Sequence, residues 1–245
     1  MRVYFCNLLR AMIMNENKKI VIIADTFPPF RSSAAIQLYD LAIELTRQGH
    51  NITVIIPAEN LECGWKIEDR ERINVLMIRV PRMKDVNNIR RTLAELAMPF
   101  IMKYYLNQSP LAKQKWDGVI WYSPSIFFGP LVKYIKRKSS CKSYLIIRDI
   151  FPDWAVDLGL MKRGIVYYFF AKVAKYQYAV ADTIGVQSQG NKIYFSDWVK
   201  KPGRQLEVLP NWLGKNKGKK CSINLSTGRL AGRKIFVYAG NMGVA

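Results

Sequence analysis

Lys19-Ile20-Val21-Ile22-Ile23-Ala24 decides the fold. It is a continuous apolar, β-branched run of strand length, with no alternation to polar residues, so it reads as a strand buried on both faces. Outward from it the theme repeats at Ile52–Pro57, Val75–Val80, Gly118–Trp121, Tyr144–Ile147, Thr183–Val186 and Leu206–Leu209. Helical patterns fill the intervals. Ser33 is placed to cap a helix whose apolar side holds Ile36, Leu38, Leu41, Ile43 and Leu45, and Gly49 stands at its expected stop. Further helices fit Ile89–Leu106, Phe127–Arg137, Ile165–Ala181 and Asn191–Val199. Strands alternating with helices predict an α/β domain built on a doubly wound parallel sheet.

The chain has 245 residues, half of them hydrophobic, enough for a core of its own and too apolar for a disordered chain. Thirty-eight Lys and Arg against 18 Asp and Glu give a formal charge of +20, which points to an anionic partner. Ten of the basic residues and a single acid, Glu207, fall between Lys200 and Lys234, a stretch that reads as a solvated connector or as an anion-facing rim. A nucleic-acid binder is the competing class, but no compact DNA- or RNA-binding motif is present. Cys6, Cys63, Cys141 and Cys221 lie far apart, and His50 has no metal-ligand company, so neither a zinc site nor a disulfide scaffold is expected. His50 itself reads as a surface turn residue between a helix and a strand.

Residues 1–13 are apolar but short and broken by Arg2, Asn7 and Arg10, and read as an upstream start rather than as structure. Two stretches, Leu93–Leu106 and Gly164–Tyr178, mix apolar, aromatic and lysine residues; they suit either core helices or helices at a membrane interface.

In a doubly wound sheet ligands meet the loops at the carboxyl ends of the strands. Asp25-Thr26-Phe27-Pro28-Pro29-Phe30-Arg31-Ser32-Ser33 leads to a helix N-terminus whose free N–H groups suit an anion, without the glycine pattern of a dinucleotide or P-loop site. Arg148-Asp149-Ile150-Phe151-Pro152-Asp153-Trp154 places a guanidinium and carboxylates directly after a buried strand, Asp153 either capping the next helix or lining the cleft. Pro210-Asn211-Trp212 ends the last strand of the unit. After the connector, Lys234-Ile235-Phe236-Val237-Tyr238 reads as a new strand entering a glycine turn at Gly240.

The succession KKIVIIADTFPP, RDIFPDWAVDLGL, ADTIGVQSQG, VLPNW and FVYAGNMG, in that order over residues 18–245, resembles family 4 glycosyltransferases of the GT-B fold, in particular bacterial enzymes that add a sugar such as N-acetyl-L-fucosamine in O-antigen or capsule assembly. The resemblance implies two Rossmann-like domains across a cleft, the first holding the acceptor and the second the nucleotide-sugar donor. It divides the chain into an N-terminal extension (1–17), a Rossmann-like acceptor domain (18–212), a basic linker (213–233) and the first strand and glycine turn of a truncated second domain (234–245). Arg31, Ser32 and Ser33 then fall on the acceptor-side loop, which in this chain lacks the family's glycines. Arg148, Asp153 and Asn211 join them as substrate-binding residues. Asp149 stands where many relatives place a histidine, as the catalytic polar group. Gly240, Asn241 and Gly243 approach the donor diphosphate. The resemblance further implies retention of configuration with no metal or other cofactor. The partners it implies are a nucleotide-sugar donor, a lipid-linked saccharide acceptor and an anionic membrane surface, with no nucleic acid, in a cytoplasmic protein peripheral to the inner face of the plasma membrane. The other reading is a non-catalytic remnant that only binds. The cations that hold a donor diphosphate belong to the family's second domain, so these 245 residues alone are expected to transfer no sugar, and turnover of a nucleotide-sugar by this polypeptide would overturn that expectation.

Overall fold

A computed structural model describes residues 17–30, 32–83, 85–212, 214 and 230–238. The chain divides into two units, 1–214 and 215–245. In the second, the described residues make one turn, with Gly232 at φ 69° and Arg233 N donating to Leu230 O at 3.2 Å. The strand expected from Lys234 is not formed over Lys234–Tyr238, which lie in neither helix nor strand. An extended segment becomes a strand only when a neighbour completes its ladder.

The first unit is a Rossmann-like α/β domain on one eight-stranded sheet. Its strands are β1 (Lys19–Ile23), β2 (Asn51–Ala58), β3 (Trp65–Arg70), β4 (Ile73–Arg79), β5 (Gly118–Tyr122), β6 (Lys142–Ile146), β7 (Thr183–Val186) and β8 (Gln205–Val208). They lie in the order β3-β4-β2-β1-β5-β6-β7-β8, and every neighbouring pair except β3–β4 is parallel. The direction of winding reverses between β1 and β5.

Each apolar run splits its residues between two cores. Ile20, Ile22, Val54, Ile120 and Ile146 face α1 (Ser33–Arg47), which inserts Leu38, Leu41 and Leu45. Val21, Ile23, Ile55, Trp121 and Leu145 face the other way, onto α2 (Asn88–Gln108), α3 (Gly129–Ser139) and α5 (Ile165–Val180). A short α4 (Asp153–Asp157) follows β6; a 3-10 turn (Gly190–Phe195) and α6 (Ser196–Val199) replace the single helix expected over Asn191–Val199. Nearly all the core aliphatics are fully buried, each worth about 1.5–3 kcal/mol against exposure.

Local chemistry fixes the ends. Ser32, not Ser33, caps α1: its Oγ accepts from Ala35 N at 3.1 Å, while Ser33 is the first helical residue. Gly49, at φ 91°, turns the chain out of the helix as expected. His50, expected at the surface, is buried, because its N–H reaches back to Leu45 O at 3.1 Å and the next residue already begins β2. The antiparallel edge strand β3 was not foreseen; four of the six residues of its Trp-Lys-Ile-Glu-Asp-Arg are charged, as suits an edge strand open to solvent. Arg70 at its end is bonded to Glu68 and to Pro28 O, tying the sheet edge to the loop after β1.

The β3–β4 hairpin turns through Glu71 and Arg72, both at positive φ (53° and 68°), the geometry of a type I′ turn without the glycine it favours. Arg72→Gly is therefore expected to stabilise the domain by about 1 kcal/mol, read as a higher urea midpoint at unchanged slope. A lower midpoint would contradict the strain assigned to this turn.

Candidate functional site

The carboxyl ends of β1, β5 and β6 converge where the winding reverses, and the side chains of Tyr122, Arg148 and Trp212 meet there on the α1 side of the sheet. Tyr122 closes β5 and is buried; Arg148 lies two residues beyond β6. The chain returning from β8 lays Trp212 under the guanidinium, with Arg148 Cζ 4.8 Å from the ring centroid. Trp212 Nε1 donates to Gln37 O on α1 at 3.0 Å. Two residues on, Gly214 N donates to Asp40 Oδ2 at 2.6 Å, fastening the returning segment to α1.

Arg148 is only 9% exposed. Its Nη1 donates to Leu209 O at 2.7 Å, but among the described residues Nε and Nη2 have no hydrogen-bond partner, and neither has the buried Gln37 Oε1. Tyr122 is an electrostatic neighbour of the guanidinium without meeting Nε or Nη2 in a well-formed hydrogen bond. Buried donors left unmade cost on the order of 1–3 kcal/mol each, and more when charged, so this is a site that gains by receiving an acceptor atom. Desolvation lowers the Arg148 pKa, while Tyr122, Tyr144 and Asp149 pull it back. Burial raises the Tyr122 phenol, Arg148 opposes, and Asp149 and Asp25 add to the rise.

Asp149 itself shows surface to solvent, and its main chain is held by Ser123 Oγ, which donates to Asp149 O at 3.4 Å. Desolvation nevertheless pushes its carboxyl above the ordinary carboxylate range, outweighing the attraction of Arg148. Such a carboxyl can accept a hydrogen bond from a sugar hydroxyl and takes up a proton more readily than an ordinary aspartate.

The other expected residues are distributed unevenly. Ser32 lies at the same end of the sheet, its Oγ 3.3 Å from Thr26 Oγ1 and committed to the helix cap; Ser33 is exposed beside it. Asn211 is exposed next to Trp212. Asp153 caps nothing: α4 begins after Pro152 without a side-chain cap, and Asp153 Oδ1 accepts from Tyr167 Oη on α5 at 2.8 Å, away from the Arg148 cluster's contacts. Arg31, Gly240, Asn241 and Gly243 lie outside the described residues.

Sequence reasoning passed over Gln37 and Tyr122. A glutamine within the apolar side of α1, and a tyrosine ending the run Gly-Val-Ile-Trp-Tyr before Ser-Pro-Ser, were the available signals. It also passed over a groove of about 740 Å³ at the carboxyl ends of β2 and β4, where Glu59, Arg79 and Arg82 face Phe100, Tyr104 and Tyr105 of α2. The unsatisfied charge lies instead at Arg148. Only β1 separates β2 from β5, roughly 10 Å at the usual strand spacing, so both lie along one edge of the sheet. Among the described residues no group of His, Cys, Asp and Glu could hold a metal ion.

Because the folded protein holds the Asp149 proton more tightly than the unfolded chain does, the ionised carboxylate costs stability. That cost is absent below the ordinary carboxylate range and grows as pH rises through the raised value. Asp149→Asn should therefore melt higher than the parent at pH 7 and at the same temperature near pH 3; equal melting at both would show that the carboxyl is not desolvated.

No protein-family model matches the chain, and no curated protein matches it in sequence. Solved structures do. The sucrose-phosphate synthase of Thermosynechococcus elongatus superposes with a TM-score of 0.54 at 13% identity, over 78% of this chain and 47% of that one. The UDP-forming α,α-trehalose-phosphate synthase of Burkholderia xenovorans, in complex with glucose-6-phosphate, gives 0.53 at 13%, over 75% and 43%. The catalytic domain of starch synthase IV from Arabidopsis thaliana, bound to ADP and acarbose, gives 0.53 at 11%, over 81% and 52%. The chain thus spans about half the length of these structures. At such identities the likeness is one of fold, the Rossmann-like α/β architecture of GT-B glycosyltransferases.

Proposed function

We propose that the chain is the acceptor-side part of a glycosyltransferase that moves a sugar from a nucleotide-sugar donor to a lipid-linked saccharide, of the kind used in O-antigen or capsule assembly at the inner face of the plasma membrane. The observation that carries this reading is the buried Arg148 guanidinium, with two donor nitrogens unpartnered among the described residues, at the carboxyl edge of the sheet beside Asp149. Support comes from the fold neighbours, one bound to ADP and acarbose and another, UDP-forming, bound to glucose-6-phosphate.

In this reading the acceptor hydroxyl oxygen bonds to the anomeric carbon as the bond from that carbon to the nucleoside diphosphate breaks; the diphosphate leaves with the bonding pair, and the hydroxyl proton passes to the departing diphosphate oxygen. Arg148 grips an oxygen of the acceptor, charge-assisted and in a dry setting where such bonds are strongest. Asp149 accepts from the acceptor hydroxyl. Arg31, Ser32 and Ser33 form the loop on the near side, with Asp153 and Asn211 at the rim. Gly240, Asn241 and Gly243 open a second Rossmann-like half, bringing backbone N–H groups to the donor diphosphate, whose growing charge fixed dipoles and cations stabilise. The groove at Arg79 and Arg82 extends the acceptor site along the same edge.

Calorimetry with a short-chain prenyl-diphosphate-linked aminosugar tests the acceptor half alone. Arg148→Met, confirmed folded by circular dichroism, should weaken binding by roughly tenfold or more, the worth of one charge-assisted bond. Arg148→Lys should recover only part of it, because an ammonium cannot present the same fork of donors. Binding unchanged in Arg148→Met, or absent in the parent chain, would refute the assignment.

A further inference from the structure

The helices on the two faces of the sheet differ sharply in charge. On one face, α1 carries Asp40, Glu44 and Arg47. On the other, α2, α3 and α5 together carry nine Lys and Arg and one carboxylate, Glu95. Lys136 pairs with Asp182 at 2.8 Å and Arg91 with Glu95 at 2.9 Å. The other seven cations have no carboxylate within ion-pair distance among the described residues.

The same layer is apolar where a water-facing layer should not be. The inner side of α2 buries Ala94, Met98, Met102 and Leu106. Its opposite side carries Ile89, Leu93, Phe100 and Tyr104, between 59% and 77% exposed, at spacings of four, seven and four residues that keep them in one stripe. A helix apolar on two opposite sides has one side too many for water. At 100° per residue Arg90 and Lys103 flank the stripe. α5 repeats the pattern with exposed Ile165, Tyr168 and Phe169, and has no acid at all.

Between α2 and α3 the surface dips into a groove of about 540 Å³, lined also by Tyr176 of α5. Lys103, Lys133, Arg137 and Lys138 line it, with no carboxylate. Lys103 Nζ stands 4.8 Å from the Tyr134 ring centroid and Lys133 Nζ 5.5 Å from that of Tyr176, so the ammonium groups are held over aromatic faces.

We propose that the α2–α3–α5 face docks on an anionic phospholipid bilayer, the groove cations meeting lipid phosphates while Ile89, Leu93, Phe100 and Tyr104 enter the headgroup–acyl boundary. Charge complementarity selects this occupant. A second copy of the face would set like charges against each other, and a nucleic acid would leave the aliphatic stripe in water. Cations beside a shallow apolar stripe are what an interfacial helix requires, and no helix among the described residues is long and apolar enough to cross the membrane instead. The inference stands apart from sugar transfer, because its test contains no saccharide.

The test is flotation with vesicles of phosphatidylcholine and phosphatidylglycerol at about 7:3, against pure phosphatidylcholine. The chain should float with the first and not with the second, and less so at high salt. Lys103→Glu/Lys133→Glu/Arg137→Glu should lose roughly tenfold or more in partitioning. Arg72→Glu/Lys115→Glu/Lys201→Glu, the same charge change away from the three helices, should lose less than about threefold. Phe100→Ser, at an exposed position where folding is not at stake, should lower the partitioning that survives high salt. No flotation with anionic vesicles, equal losses in the two triple variants, or a mobility shift with generic RNA in place of flotation would each overturn the proposal.

Discussion

A parallel sheet whose strands are apolar on both sides must be covered on both sides, and this constraint orders everything else in the domain. β1 alone sends Ile20 and Ile22 one way and Val21 and Ile23 the other, all with essentially no exposure. Two helical layers are therefore obligatory, and each presents a second surface outward. Nothing in the packing requires these outward surfaces to be alike. In this chain one is a single mixed-charge helix, and the other is a three-helix layer that is basic and partly apolar.

The candidate site lies at the winding reversal, where β1 and β5 send their following helices to opposite faces and a crevice is expected outside the carboxyl ends of β1, β5 and β6. The chain covers part of this gap with the segment after β8, and Trp212 and Gly214 fasten it to α1. That cover buries Arg148 yet, among the described residues, satisfies one of its three nitrogens, through Leu209 O. A core position so placed would be more stable with an apolar residue, since a buried charge without a full set of partners costs more than a hydrophobe of the same volume.

The parallel core was legible in the sequence because it depends on runs of apolar residues, which a chain states directly. Seven of the eight strands lie on such runs; β3 does not, because an edge strand with one face in water dilutes its apolar residues with charge. The cap of α1 was misread by one residue, Ser33 for Ser32, since two adjacent serines offer the same chemistry and only backbone geometry chooses between them. His50 looked like a surface residue because a turn was expected to face water, but the short return from α1 to β2 folds it inward. Arg148 and Asp149 were visible as charges after a buried strand. Their surroundings were not, because Gln37, Tyr122 and Trp212 are more than 80 residues apart in pairs and meet only through the sheet order. Asp153 shows the converse: a carboxylate close to Asp149 in sequence has its oxygen bonded to Tyr167 on another helix.

Composition gave a charge of +20 and left open where it acts. The fold narrows the choice by geometry alone. Charge carried for solubility would be spread over both layers and mixed with acids, as on α1. On α2, α3 and α5 it is concentrated, nearly free of acids, and set beside exposed side chains that destabilise no fold by being polar and gain nothing in water by being apolar. Phe100 is the clearest case, since it borders both grooves, the basic one against α3 and the one at the carboxyl ends of β2 and β4. A side chain in that position joins the two surfaces into one path along α2, from the cations on the outer layer to the polar edge of the sheet.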